Sequence, residues 1–213
     1  RYLSFFFGLV SILSFFNIIY SYYLNLYLNL DTYYLSFFCS LVISILFYNL
    51  KFEKKRLTIF NKILTVFVGY IFIPLVLSIP FYFSIYNLTL LNSFFEAISG
   101  FTSTGFTIFD NIKHIDQSLI LWRSSTQWIG GLYFLFSIIF LIDIYDENFK
   151  KTLTNYISFD SSEVLKQAIK IFLLYSFLTL VIFIILNIFS IRSFNSLNLA
   201  LTLISSGGFL PVN

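Results

Sequence analysis

Five long apolar runs decide the solvent in which this chain can fold. They occupy residues 2 to about 26, 32–50, 62 to about 86, 117 to about 144 and 164 to about 189. Each meets or nearly meets the roughly 20 residues that a helix needs to cross a bilayer. The composition agrees: 58% of the 213 residues are hydrophobic and 11% are charged, with a mean hydropathy of +0.87. These values lie outside the soluble globular range and indicate an integral membrane protein, with the lipid bilayer as its first partner. A formal charge of only +3 gives no reason to expect a nucleic-acid partner. The chain opens on Arg1-Tyr2 without a Met and stops at Val212-Asn213, so it is expected to be a fragment.

Two further apolar runs, 91–101 and 194–204, are too short to span. Their length suits re-entrant helices that enter the membrane and turn back. Non-helical backbone at that depth survives only where it lines a cavity or is buried in protein. Charge sets the orientation. Lys51, Lys54, Lys55, Arg56 and Lys62 cluster after the second run, and Lys150, Lys151, Lys166 and Lys170 after the fourth. The alternate loops offer only Lys113, Arg192 and the nearby Arg123. Since Lys/Arg excess marks the cytoplasmic side, both short helices are expected to enter from the outer face.

The two short runs head a weak internal repeat. "LNSFFEAISGFTSTGF" (91–106) lies over "FNSLNLALTLISSGGF" (194–209) at an offset of 103. Asn92, Ser93, Ala97, Ser103, Gly105 and Phe106 meet Asn195, Ser196, Ala200, Ser206, Gly208 and Phe209. Repetition of this kind signals a pseudo-symmetric assembly. The expected fold is all-α and membrane-embedded: about five transmembrane helices plus two re-entrant pore helices with filter loops, in repeating helix–pore helix–helix units. Residues 1–61 form two N-terminal spans and a cytoplasmic loop. Residues 62–150 form a first pore unit, and 151–213 a second that stops after its filter.

A short helix aims the negative end of its dipole beyond its C-terminus, where a cation is stabilised. An extended, small-side-chain segment placed there can turn its carbonyls toward an axis and replace the water shell of an ion. Thr102, Ser103, Thr104, Gly105 and Phe106 fit one wall of such a filter, and Ser205, Ser206, Gly207, Gly208 and Phe209 a second. Phe106 and Phe209 are expected to wedge the loops rather than touch an ion. Pro74 and Pro80 are expected to kink the third span. Cys39 sits in an apolar run as a packing residue, and His114 stands alone, so no transition-metal site is expected. The stretch 143–163 is expected to be a cytoplasmic linker that could dock a partner.

These residues resemble the Trk/Ktr/HKT superfamily of potassium transporters, above all its TrkH-like bacterial branch. The family pattern of an acidic pore helix, S-G-hydrophobic-T-T-T-G and W-R-x-x-x-Q-W-x-G-G is met by "FFEAISGFTSTGFT" (94–107) and "WRSSTQWIGG" (122–131). The family's S-I-G-G-F resembles Ser205–Phe209, and "SIPFYF" (78–83) its L-P-F. Ser103 replaces a common Thr and Ser206 a common apolar residue. The resemblance implies four pore units around one potassium pathway in the bacterial inner membrane, filter loops outward. It also implies a homodimer and a cytoplasmic nucleotide-binding regulatory subunit, with potassium as substrate and no cofactor.

In that setting Glu96 either concentrates cations or braces the filter, or is simply a carboxylate near a helix N-terminus. Arg123 is a pore-repelling cation, an interfacial anchor, or a partner of Asp110, Asp116 or Glu96. Gly130 and Gly131 allow close packing against the pore helix or act as a gating hinge. The alternatives to potassium uptake are a non-conducting accessory subunit and a membrane-embedded enzyme. Ionisable groups in the spans are too scattered to favour the enzyme.

Overall fold

The computed structural model describes residues 2–50, 59–141 and 164–211. Every regular element among them is helical. In chain order these are α1 (Tyr2–Tyr23), α2 (Leu30–Asn49), α3 (Ile59–Leu77), the single turn α4 (Ile79–Tyr82), α5 (Leu90–Phe101), a 3-10 turn (Ile112–His114), α6 (Gln117–Leu141), α7 (Val164–Ile188) and α8 (Ser193–Ile204). Five stretches are long and apolar enough to cross a membrane: α1, α2, α3 continued through α4, α6, and most of α7. The basic loop 51–56 and the expected docking linker 143–163 lie outside the described residues.

The first two helices are zipped by small polar residues, which let membrane helices approach closely. The Ser4 hydroxyl donates to the Ser44 carbonyl and the Ser44 hydroxyl to the Ser4 carbonyl, each at 2.8 Å. The Ser14 hydroxyl reaches that of Ser36 at 3.2 Å. The third span is interrupted at Ser78 rather than merely kinked. Pro80 has no N–H to give to Val76, so the helical ladder lapses and restarts as α4.

A polar network near the N-terminal end of α6 holds the first two helices to the rest. Asp116 accepts from the Ser118 hydroxyl and from Asn29 Nδ2, while Ser118 Oγ pairs with Tyr33 OH at 2.9 Å. Asn17 Nδ2 donates to the Ser118 carbonyl at 3.1 Å. The Asp116 N–H donates to Tyr86 OH, which donates in turn to the His114 carbonyl.

The centre of the molecule is α6, whose side chains are buried without a break from Ser118 to Tyr133. A helix covered all round lies inside its bundle. It packs against α1, α3, α5 and α8. By contrast only 11% of the apolar window of α7 is buried.

Candidate functional site

The two short helices end alike. After α5, the Ser103 N–H donates to the Gly100 carbonyl at 2.9 Å and the Thr104 N–H to the Ser99 carbonyl at 2.9 Å. After α8, the Ser206 N–H donates to the Leu203 carbonyl at 3.1 Å and the Gly207 N–H to the Thr202 carbonyl at 2.8 Å. Each pair is a Schellman cap, which requires a left-handed residue just past the helix. Ser103 and Ser206 occupy it, with φ of 55° and 54°. The cap closes the last turn and sends the chain off sharply.

These caps bring together the two segments singled out in the sequence. A Cβ placed on Gly105 would lie 2.5 Å from the Gly208 Cα, so the two backbones touch there. Gly105 also adopts φ 81°, a conformation that L side chains rarely reach. Three of the hydroxyls are already engaged: Thr102 Oγ1 donates to the Ile98 carbonyl, Thr104 Oγ1 pairs with Thr102 Oγ1 at 2.7 Å, and Ser205 Oγ donates to the Thr202 carbonyl. Among the described residues, the main-chain oxygens of 102–105 and 205–208 accept no hydrogen bond. The junction thus presents peptide oxygens next to two helix C-termini, an arrangement suited to a cation.

The helix behind the junction, α6, is cut to receive both turns. On one side Thr126 lies against Gly100, and Gly130 leaves room for the Phe101 carbonyl. On the other, Gln127 lies against Gly207, and Gly131 leaves room for Ser205 and the Tyr175 hydroxyl. Each side is an i, i+4 pair, which shares one helix face. The glycine pair therefore packs closely against both short helices.

Arg123, one turn before Gln127, forms a buried ion pair with Glu96. The Nε–Oε1 distance is 2.8 Å, and the two side chains are 1% and 0% exposed. Asp110 and Asp116 are not its partners in this pair, and its burial overturns the expectation of an interfacial anchor. Glu96 is the seventh residue of α5, not a first-turn carboxylate. Its oxygens accept from Thr107 Oγ1 and from the Ile108 N–H at 3.0 Å, so it braces the segment that leaves the first turn. Arg123 Nη2 donates to Thr107 Oγ1 at 3.0 Å, and its guanidinium lies 4.2 Å from the centre of the Phe209 ring. One cation thereby touches both turns.

The two phenylalanines part company. Phe209 is 2% exposed and lies under Arg123. Phe106 is 70% exposed, so its ring wedges nothing here. Its carbonyl is held instead by the Ser99 hydroxyl at 2.6 Å. Ser99, Thr126 and Gln127 lay inside the quoted motifs but were assigned no role there. The signal was present: Gln127 stands four residues after Arg123, on the same face of α6. Among the described residues no group of three His, Cys, Asp or Glu could hold a metal, and His114 is exposed.

No family model matches the chain. Relatives do. An uncharacterized cation transporter of Methanocaldococcus jannaschii is 25% identical over 73% of this chain and 33% of its own. The Trk system potassium uptake protein TrkI of Halomonas elongata is 42% identical over 28% of this chain and 11% of its own. TrkH of Salmonella typhimurium is 33% identical over 42% and 19%. The crystal structure of the potassium transporter TrkH from Vibrio parahaemolyticus superposes on 99% of this chain and 44% of its own, with a TM-score of 0.74 at 17% identity. That likeness shows a shared fold. The chain spans about a third of the first relative's length.

Proposed function

We propose that the chain is a partial-length member of the Trk family of potassium transporters and forms part of a potassium uptake pathway, a reading supported by its likeness to Trk system potassium uptake proteins. Its named relatives are transport proteins, not enzymes. In this reading α5 and α8 are pore helices that enter from the outer face. Main-chain oxygens of 102–105 and 205–208 coordinate a dehydrated potassium ion. Residues 62–150 and 151–213 are successive pore units, and the remaining walls come from sequence beyond this chain. The membrane is the bacterial inner membrane. A homodimer and a cytoplasmic nucleotide-binding regulatory subunit complete the assembly.

The observation that carries this reading is the backbone contact of Gly105 with Gly208, reached from two helices whose last residues stand 103 positions apart. Two lipid-facing turns would have no reason to meet without side chains between them. The backbone geometry also recurs at that offset: left-handed residues fall at Asn87 and Ser190, and at Ser103 and Ser206. The test is growth of potassium-uptake-deficient cells on low potassium, with the complete protein supplied. Rescue is expected, and its absence in cells that hold the folded protein in their membranes sinks the reading. Gly105→Ser is expected to lower the K⁺/Na⁺ uptake ratio by about tenfold or more, or to abolish uptake. The left-handed backbone and the crowded junction each act against a side chain. An unchanged ratio in that variant contradicts the carbonyl-lined site.

A further inference from the structure

Gln127 presents a combination that the proposed pathway leaves unused. Its side chain is completely buried in the middle of α6. Its Oε1 accepts the N–H of Phe209 at 3.3 Å, so it grips the second turn by the main chain. Gly207 lies so near that a Cβ there would strike the amide, 2.5 Å from Oε1 and 2.6 Å from Nε2. Meanwhile Nε2 is buried without a hydrogen-bond partner. A buried donor left unsatisfied costs stability, and an apolar side chain of the same size avoids that cost. Packing alone therefore does not account for an amide here; the oxygen's hold on residue 209 does. The first turn has no such grip and is braced differently, by Glu96, Thr107 and Ser99.

We propose that Gln127 is the positioning residue of the second turn, and that through residues 207–209 it sets how sharply the pathway separates potassium from sodium. The inference rests on the potassium-pathway reading above. Gln127 acts through the backbone it holds and touches no ion. A carbonyl ring distinguishes the two ions by how its oxygens are spaced and how readily they yield. A fixed amide behind one wall limits that yielding. Because Gln127 belongs to the helix that closes the first unit, the second unit's wall is set by its neighbour.

The test uses the complete protein in cells lacking potassium uptake, with K⁺ and Na⁺ uptake and membrane abundance measured together. Gln127→Leu removes the acceptor at nearly constant volume. It is expected to lower the K⁺/Na⁺ ratio about tenfold, the scale of one lost hydrogen bond, at unchanged abundance. Gln127→Glu keeps an acceptor and is expected to stay closer to wild type. Gly207→Ala reaches the same contact from the turn side and is expected to lower the ratio as Gln127→Leu does, should the latter fail to fold. A ratio held at the wild-type value in both Gln127→Leu and Gly207→Ala, or uptake that falls only in step with abundance, overturns the inference. A wild-type protein that carries no potassium refutes the pathway reading instead.

Discussion

Ser103 and Ser206 hold a backbone conformation that ordinarily belongs to glycine. A non-glycine residue there is strained by roughly 1–2 kcal/mol. Ser103→Gly and Ser206→Gly are each expected to stabilise the purified protein by about 0.5–1 kcal/mol, read as a higher Tm. The Glu96–Arg123 pair predicts the opposite sign. Removing one partner leaves the other charge buried, so Glu96→Leu or Arg123→Leu is expected to cost about 3–5 kcal/mol, while the double variant recovers much of that. Yields of folded protein across the three variants measure the cycle. Composition exposed Thr102, Gly105 and Gly208 because neutral, flexible residues are out of place between apolar runs. It did not expose which charge answers Arg123. Glu96, Asp110 and Asp116 all stood within reach in the sequence, and only packing brought Glu96 to it.

At the scale of elements, α5 and α8 were legible almost to the residue, because the apolar run of each ends where a hydroxyl- and glycine-rich turn begins. The break at Ser78 was only half legible: two prolines announced a disturbance, but not the restart of the helix as α4. The double role of α6 was hidden. Its burial on every side erases the apolar–polar alternation that usually tells which face meets which neighbour. The two glycines now predict separable defects. Gly130→Ala should push on Phe101 and displace the first turn; Gly131→Ala should push on Ser205 and displace the second. Each overpacking change is expected to cost about 1–3 kcal/mol. Amide hydrogen exchange of residues 102–106 and 205–209, compared across both variants, reports which turn is displaced.

For the whole molecule, the five spans followed from hydropathy because the bilayer thickness imposes a minimum length on any apolar helix. How the first two spans attach did not follow, since the network draws Asn17, Asn29, Tyr33 and Tyr86 onto Asp116 and Ser118 from at least 30 positions away in sequence. Asp116→Ala is expected to loosen that attachment and cost about 1.5–3 kcal/mol, with faster proteolysis of the loop between α1 and α2 as the readout. The complete protein should also melt higher in potassium than in sodium at equal ionic strength, by about 2.7 kcal/mol when potassium exceeds its dissociation constant a hundredfold. The interleaved faces of α6 carry one more consequence. Thr126 and Gly130 serve one turn, Gln127 and Gly131 the other, and neighbouring residues on a helix are about 100° apart. Inserting or deleting a single residue upstream of them would swing both seats away from their occupants at once. A substitution in this stretch disturbs one seat; a change of length disturbs both.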